Sequence, residues 1–477
     1  AWIISMYRFP GRQFFRWALI LPIAIPAYIG GFAWAGILDY TSPVYIFLRQ
    51  HFGVDTGAML FFNLLSLPGA IVILSLSLFP YVYLITRAYF SRQSASLLEV
   101  ASSLGRSRRN AFFTLALPMA RPAIVAGVSL ALMEVLNDYG LVKYFGVDTF
   151  TTGIFSAWFA FSNQQAAMKL SSWLMFIVFA LILTESFHRR HIRYASEAGH
   201  HRPIQPHPLK GIKAAAAVLA CSLPLILGFL LPALQLIYWS SQSVIQVAGR
   251  GFTQLLANSF MLATLAAALV IVFSIFIGFS ARSFPAPLIR SLAKMATLGY
   301  AIPGAVVAIG IMVSALFIDR LLISYGLVSG LIFSGSYLVL IYAYTVRFMA
   351  VGYNSIDSGL ARLSPSLDEA SLSLGRNRWD TLRHINLPLL RGAVTGGWLL
   401  VFIDVLKELP LTLILRPFNM DTLAIRAFEY ASDERLAEAS PAALVIILAG
   451  LLPVYILNRL DAYPPKGITT IPDTGKQ

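Results

Sequence analysis

The chain has 477 residues, 57% of them hydrophobic and only 12% charged, with a formal net charge of +14. Soluble globular domains average about 25% charged residues, so the composition excludes an ordinary soluble protein. The positive balance sits between long apolar runs, which makes it an orientation signal rather than a nucleic-acid footprint, and the single cysteine, Cys221, excludes an internal disulfide and a cysteine-based metal site.

The first segment, Ala1 to Tyr7, is too short to span a bilayer and lacks the layout of a signal peptide. Ten apolar spans follow, at roughly 16–38, 68–90, 119–137, 168–186, 214–237, 256–279, 293–316, 328–349, 392–409 and 441–458. Each is long enough to cross about 30 Å of hydrocarbon. Each must be helical, because lipid offers no partner to an open backbone. Of the 36 Lys and Arg, 27 fall in one alternating set of loops, counting Arg347 among them, and 8 in the other; Lys407 lies in or at the end of a span. The richer set is assigned to the cytoplasm, together with both ends of the chain. Between the fourth and fifth spans, residues 187–213 are polar and basic and carry His188, His191, His200, His201 and His207. With no acidic or cysteine ligands beside them, these read as a solvated linker and not a metal site.

The two halves are copies. SLLEVASSLGRSRRNAFFTLALPMARPAI (96–124) aligns without a gap to SLDEASLSLGRNRWDTLRHINLPLLRGAV (366–394) at an offset of 270. MEVLNDYG (133–140) continues the register onto IDVLKELP (403–410), and DTFTTGIF (148–155) matches DTLAIRAF (421–428) with three extra residues in the second copy. Upstream, Ala24-Ile25-Pro26 matches Ala301-Ile302-Pro303, and Phe9-Pro10 matches Phe284-Pro285. Such self-similarity defines the organisation of a chain: a first module over 1–190, a linker over 191–211, a second module over 212–460 and a tail over 461–477. The first copy lacks a counterpart of roughly 210–270, so further N-terminal spans, twelve in all, are expected in a parent chain.

The repeated loop has its own physics. A short amphipathic helix ends at Gly105 or Gly375, where a glycine takes left-handed dihedrals. A second basic helix follows, and Pro118 or Pro388 suits the first turn of the next span. This pattern resembles the EAA loop of the permeases of ATP-binding-cassette (ABC) importers, through Glu99-Val100-Ala101, Gly105 and Leu117-Pro118, and again through Glu369-Ala370-Ser371, Gly375 and Leu387-Pro388. Neither copy keeps all three opening letters. The resemblance implies an all-α polytopic fold of two tandem type I, MetI-like permease modules related by a pseudo-two-fold axis. It implies that Glu99, Ala101, Gly105, Arg106 and Pro118, and Glu369, Ala370, Gly375, Arg376 and Pro388, couple the chain to a cytoplasmic ATPase. No Gly-x4-Gly-Lys-Ser/Thr phosphate cradle occurs, so ATP and magnesium are expected on that partner, in two copies, with no catalytic residue and no cofactor here.

Ionisable residues inside spans are costly and default to functional roles. Glu134 and Asp138 are four apart, on one helix face, and their repeat partners Asp404 and Glu408 share the spacing. If the modules pack around a pseudo-two-fold axis, these four carboxylates converge on a central path, about 24 Å along the helix from Pro118 at 1.5 Å per residue. Carboxylate oxygens suit hard cations, Tyr139 adds a phenol, and Lys407 offers partial neutralisation. Pairing with Lys407 or capping of helix ends is the simpler alternative role for the same acids. Over nearly the whole chain except the linker, MYRFPGR (6–12), LPIAIPAYIGGFAWAGILDYTSP (21–43), EVLNDYGLVKYFGVDTFTTGIF (134–155) and DVLKELPLTLILRPFNMDTLAIRAF (404–428) are similar to the fused ferric-iron permeases. That implies a bacterial inner-membrane protein fed by a periplasmic substrate-binding protein. Thiamine permeases share the layout. A gradient-driven transporter with parallel repeats and a membrane enzyme are the rival classes.

Overall fold

The computed structural model describes residues 1–39, 41–52, 64–92, 108–191, 206–247, 249–284 and 286–462. Among these the regular structure is helical, apart from one two-residue parallel pairing of Tyr7–Arg8 with His207–Pro208. Seven helices are long and apolar enough to cross a membrane, and two further helix pairs qualify as bent spans. One of them, the helix Arg250–Ser283, has 34 residues, about 50 Å at 1.5 Å per residue, well beyond the hydrocarbon thickness.

Three predicted spans differ from what is found. The first, expected over 16–38, is broken: Arg12–Ala24 and Ala27–Ile37 meet at 93°. Pro22 and Pro26 remove backbone donors and push Ile25 into extended backbone. The second copy repeats the break, with Ile302 extended and Pro303 ahead of Gly304–Ser324. The segment before it, Pro287–Ala296, is a separate amphipathic helix rather than part of a span, matching Arg12–Ala18 in the first copy. Its Leu288, Leu292 and Met295 are exposed, as on a helix lying in the bilayer interface. Finally, the span expected over 328–349 is the helix Tyr337–Leu360. Arg347, assigned above to a cytoplasmic loop, sits in the middle of it and is buried. That assignment is corrected: a charge can stay inside a span when it has a partner there.

Ser66 and Ser336 fix the register of the copies. Ser66 Oγ accepts from Gly69 N at 3.4 Å and Ser336 Oγ from Val339 N at 3.3 Å, at the heads of Leu67–Arg92 and Tyr337–Leu360. The Leu-Pro pairs share a device as well. Leu117-Pro118, Leu231-Pro232 and Leu387-Pro388 each follow a π turn, Phe112–Ala116, Ile226–Leu230 and Leu382–Asn386. The wider turn makes room for a proline ring that would clash with the carbonyl four residues back.

The halves interlock into one core. Phe32 and Tyr139 of the first half pack on Phe428 of the second, with ring centroids 6.3 and 5.7 Å apart. Trp34 donates to the Leu227 carbonyl at 3.1 Å, and Gly36 lies flat against Trp239. At the end of Gly304–Ser324, Asp319 is fully buried and accepts from the amides of Ile332, Phe333 and Ser334 and from the Ser334 hydroxyl, at 2.6 to 3.1 Å. It staples the turn region after that helix. Asp319→Ala strands these donors, so unfolding in detergent is expected to cost about 2–3 kcal/mol less; an unchanged midpoint would contradict the staple.

Candidate functional site

Two places bear on function: an elbow outside the helical bundle and a cavity inside it. The elbow of the second half begins where Ser364 caps Pro365–Ser373. The helix ends in a Schellman closure: Gly375 adopts φ +81°, the Gly375 amide bonds the Leu372 carbonyl at 3.0 Å and the Arg376 amide the Ser371 carbonyl at 3.2 Å. Asn377 then caps Arg378–Thr381 by accepting from Asp380 N at 2.8 Å. The two short helices are tied by Ser371 Oγ and Thr381 Oγ1, 2.8 Å apart.

The elbow is also fastened to the bundle. Arg282, at the end of Arg250–Ser283, pairs with Asp368 at 2.6 Å and donates to the carbonyls of Leu360, Leu363 and Ser364. Arg378 donates to the Ser283 carbonyl at 2.8 Å and lies 4.3 Å over the Phe284 ring. Against this rigid base the outer side is apolar and uncovered. Leu367, Ala370 and Leu374 fall on one helical face and are exposed, Leu374 at 83%, beside Trp379 at 63%. Glu369 and Arg376 are exposed too. In the first half, Glu99, Ala101, Gly105 and Arg106 lie outside the described residues; Pro118 stands at the first turn of Leu117–Asn137 and Pro388 in the first turn of Leu387–Leu389.

The cavity, about 100 Å³, lies where the halves meet. Ile23, Ile25, Pro26, Ala27 and Tyr28 come from the broken helix; Leu74, Ser77, Leu78 and Tyr81 from Leu67–Arg92; residues 134 and 137–140 and residues 407–410 from the two matching helix ends. Three of the four predicted acids, Glu134, Asp138 and Glu408, line it together, with Lys407. Asp404 does not; its Oδ1 is 2.8 Å from Lys407 Nζ. Asp138 and Glu408 have the same local job, accepting from Val142 N at 3.1 Å and Leu411 N at 3.1 Å ahead of the short helices Gly140–Tyr144 and Pro410–Leu415. Capping and cavity lining are therefore one role for these two residues. Tyr139 stacks on Phe155 at 3.7 Å.

Electrostatically the halves are unlike. Both acids of the second half carry built-in cations: Lys407 on Asp404, and Arg347 Nε 3.4 Å from Glu408 Oε2, an ion pair without hydrogen-bond geometry. Arg347 and Glu408 are 5% and 6% exposed, and Arg347 also donates to the Ile302 carbonyl at 3.1 Å. Glu134 instead accepts from Tyr300 at 3.1 Å, and Asn137 Oδ1 from Gly304 N at 2.7 Å, both across the module boundary. Among the described residues neither Glu134 nor Asp138 is in an ion pair. No three His, Cys, Asp or Glu of the described residues form a group able to hold a metal ion. Sequence reasoning missed Arg347, Tyr28, Ser77 and Tyr300. The broken-helix repeat was the signal pointing to Tyr28; nothing in composition marked Ser77.

Residues 1–190 match the family described as binding-protein-dependent transport system inner membrane component. The chain is 30% identical over 463 residues to the Fe(3+)-transport system permease protein FbpB 2 of Haemophilus influenzae, covering 96% of this chain and 85% of that one. It is 24% identical over 437 residues to the putative ferric transport system permease protein FbpB 1 of the same organism, covering 86% of this chain and 65% of that one. A solved chain from a bacterial alginate ABC transporter, in complex with an alginate pentasaccharide-bound periplasmic protein, aligns over 52% of this chain and 93% of its own, with 16% identity and a TM-score of 0.43.

Proposed function

The chain belongs to the binding-protein-dependent transport system inner membrane components, as the multi-pass permease subunit of an ABC importer, and we propose that it moves ferric iron delivered by a periplasmic binding protein. The observation that carries the cargo assignment is the cavity between the modules, where the carboxylates of Glu134, Asp138 and Glu408, donors of hard-cation character, meet among apolar residues beside Lys407. The names of the relatives point the same way.

In this reading the elbow of each half docks into one of two cytoplasmic ATPase subunits, which hold the ATP and magnesium. The Arg282 and Arg378 anchors pass ATPase closure to Arg250–Ser283 and so to the cavity wall. The basic loops and both chain ends face the cytoplasm, and the chain itself carries no catalytic group. Proteoliposome uptake of labelled Fe(III), set against labelled thiamine, tests the cargo: thiamine uptake without iron uptake overturns it.

The opposite side supplies a docking point. The three extra residues of the second copy fall in the turn Arg416 to Asp421, where Phe418 is 94% exposed. Its base is held by Arg416 bridging Asp421 and Glu429, and by Arg426 on Asp421. Phe418→Ser is expected to cut stimulation of ATP hydrolysis by the loaded binding protein severalfold; full stimulation in the variant would remove this docking role.

A further inference from the structure

The repeat allows the two sides of the module boundary to be read against each other. The matching caps at Ser66 and Ser336 place Ser77 at the position of Arg347, at the same offset of 270 that relates Asp138 to Glu408. The Ala-Ile-Pro breaks place Ile25 at the position of Ile302, and Ala27 at that of Gly304. In the second half these positions hold a guanidinium. Arg347 lies between the Glu408 carboxylate and the Ile302 carbonyl. The fit is close: a Cβ on Gly304 would come within 2.7 Å of Glu408 Oε1 and 2.9 Å of an Arg347 nitrogen.

In the first half the corresponding positions are Asp138, Ile25, Ala27 and Ser77, and all four line the cavity. A serine replaces the arginine, and the cavity lies beside it. A second, independent observation marks the same space. Tyr28 lines it at 5% exposure, and its hydroxyl, buried, has no hydrogen-bond partner. Buried hydroxyls are normally satisfied, and one left without a protein partner on a cavity wall has its oxygen free for an ion or a water. Glu134 lines the same wall with no ion pair among the described residues.

We propose that the cavity beside Ser77 is a cation seat, the pseudo-symmetric counterpart of the place Arg347 fills with the protein's own charge. A hard metal cation there would meet the Asp138 carboxylate, the Tyr28 phenol oxygen and the Glu134 carboxylate, with water completing its shell. The second half is the template that has been closed by a side chain, so the transport site is one-sided: the first module holds the cargo and the second supplies a self-neutralised wall. This rests on the importer reading but is separable from it.

The test uses the purified complex of the full chain with its ATPase and Tb(III), a luminescent trivalent probe excited through nearby tyrosines. Ser77→Arg should restore the arrangement of the second half and weaken Tb(III) binding at least tenfold, while the complex still purifies intact with its ATPase. Asp138→Asn should also weaken binding, and Tyr28→Phe should lower the sensitised emission, which covers the case in which Ser77→Arg fails to assemble. Unchanged Tb(III) titrations in an intact Ser77→Arg complex, or in Asp138→Asn and Tyr28→Phe together, would overturn the seat. Iron uptake by wild type alongside those unchanged titrations would leave the importer reading standing; Tb(III) binding without iron uptake would do the reverse.

Discussion

Proline at both elbow glycines, Gly105→Pro with Gly375→Pro, is expected to lower ATP-driven uptake at least tenfold while the chain still inserts in the membrane. Gly375 sits at φ +81°, and proline is locked near −65°. The substitution therefore cannot keep the closure in which the Gly375 and Arg376 amides satisfy the Leu372 and Ser371 carbonyls. The exposed stripe of Leu367, Ala370 and Leu374 would lose its fixed angle to Arg378–Thr381, and with it the grip offered to the ATPase. The space around Gly375 is open, with nothing within 4 Å of an added Cβ, so the effect is one of backbone and not of crowding. Alanine there costs only about 1–2 kcal/mol of left-handed strain and should leave much of the coupling. Membrane fraction, ATPase co-purification and uptake, measured across Gly, Ala and Pro, separate the cases. Proline variants that still couple hydrolysis to uptake would remove the elbows from the mechanism.

The second large effect is expected at the buried pair. Arg347→Ala leaves Glu408 buried without its cation and strips the Ile302 carbonyl of its donor. Losing one partner of a buried ion pair typically costs about 3–5 kcal/mol, whereas replacing both by groups of similar volume is often neutral. Arg347→Met with Glu408→Gln should therefore recover most of the stability lost by Arg347→Ala, since the glutamine oxygen can still accept from Leu411 N. Unfolding midpoints in detergent for Arg347→Met, Glu408→Gln and the double variant, set against wild type, give the coupling directly. A double variant no more stable than Arg347→Ala would contradict the cost assigned to the unpaired carboxylate.

Much of this protein is legible in its sequence because lipid enforces simple rules. Apolar length gives the helices, and duplication fixes which helix answers to which. The acids of residues 134–138 and 404–408 stand out because few charges are tolerated in a span. The converse error has the same origin. From the sequence Arg347 reads as a loop cation at the end of the span expected over 328–349, and only the fold reveals the partner, 61 residues away in sequence, that makes it tolerable inside the helix. The 93° break at Pro22 to Pro26 is hidden in the sequence because the flanking residues are as apolar as a straight helix requires. Ser77 is silent in the sequence: a serine in a helix carries meaning only beside the arginine of its copy. The described residues include one elbow of the two, so the symmetry of coupling rests on the repeated Glu-Gly-Pro spacing.

The central claim is that this chain is moved by an ATPase on another polypeptide. The most direct test is uptake of labelled Fe(III) into proteoliposomes holding the permease, its ATPase and its binding protein, with and without ATP and with all ion gradients collapsed. Uptake that requires ATP and survives the collapse is the predicted result. Uptake that proceeds without the ATPase and vanishes with the gradients would contradict the account.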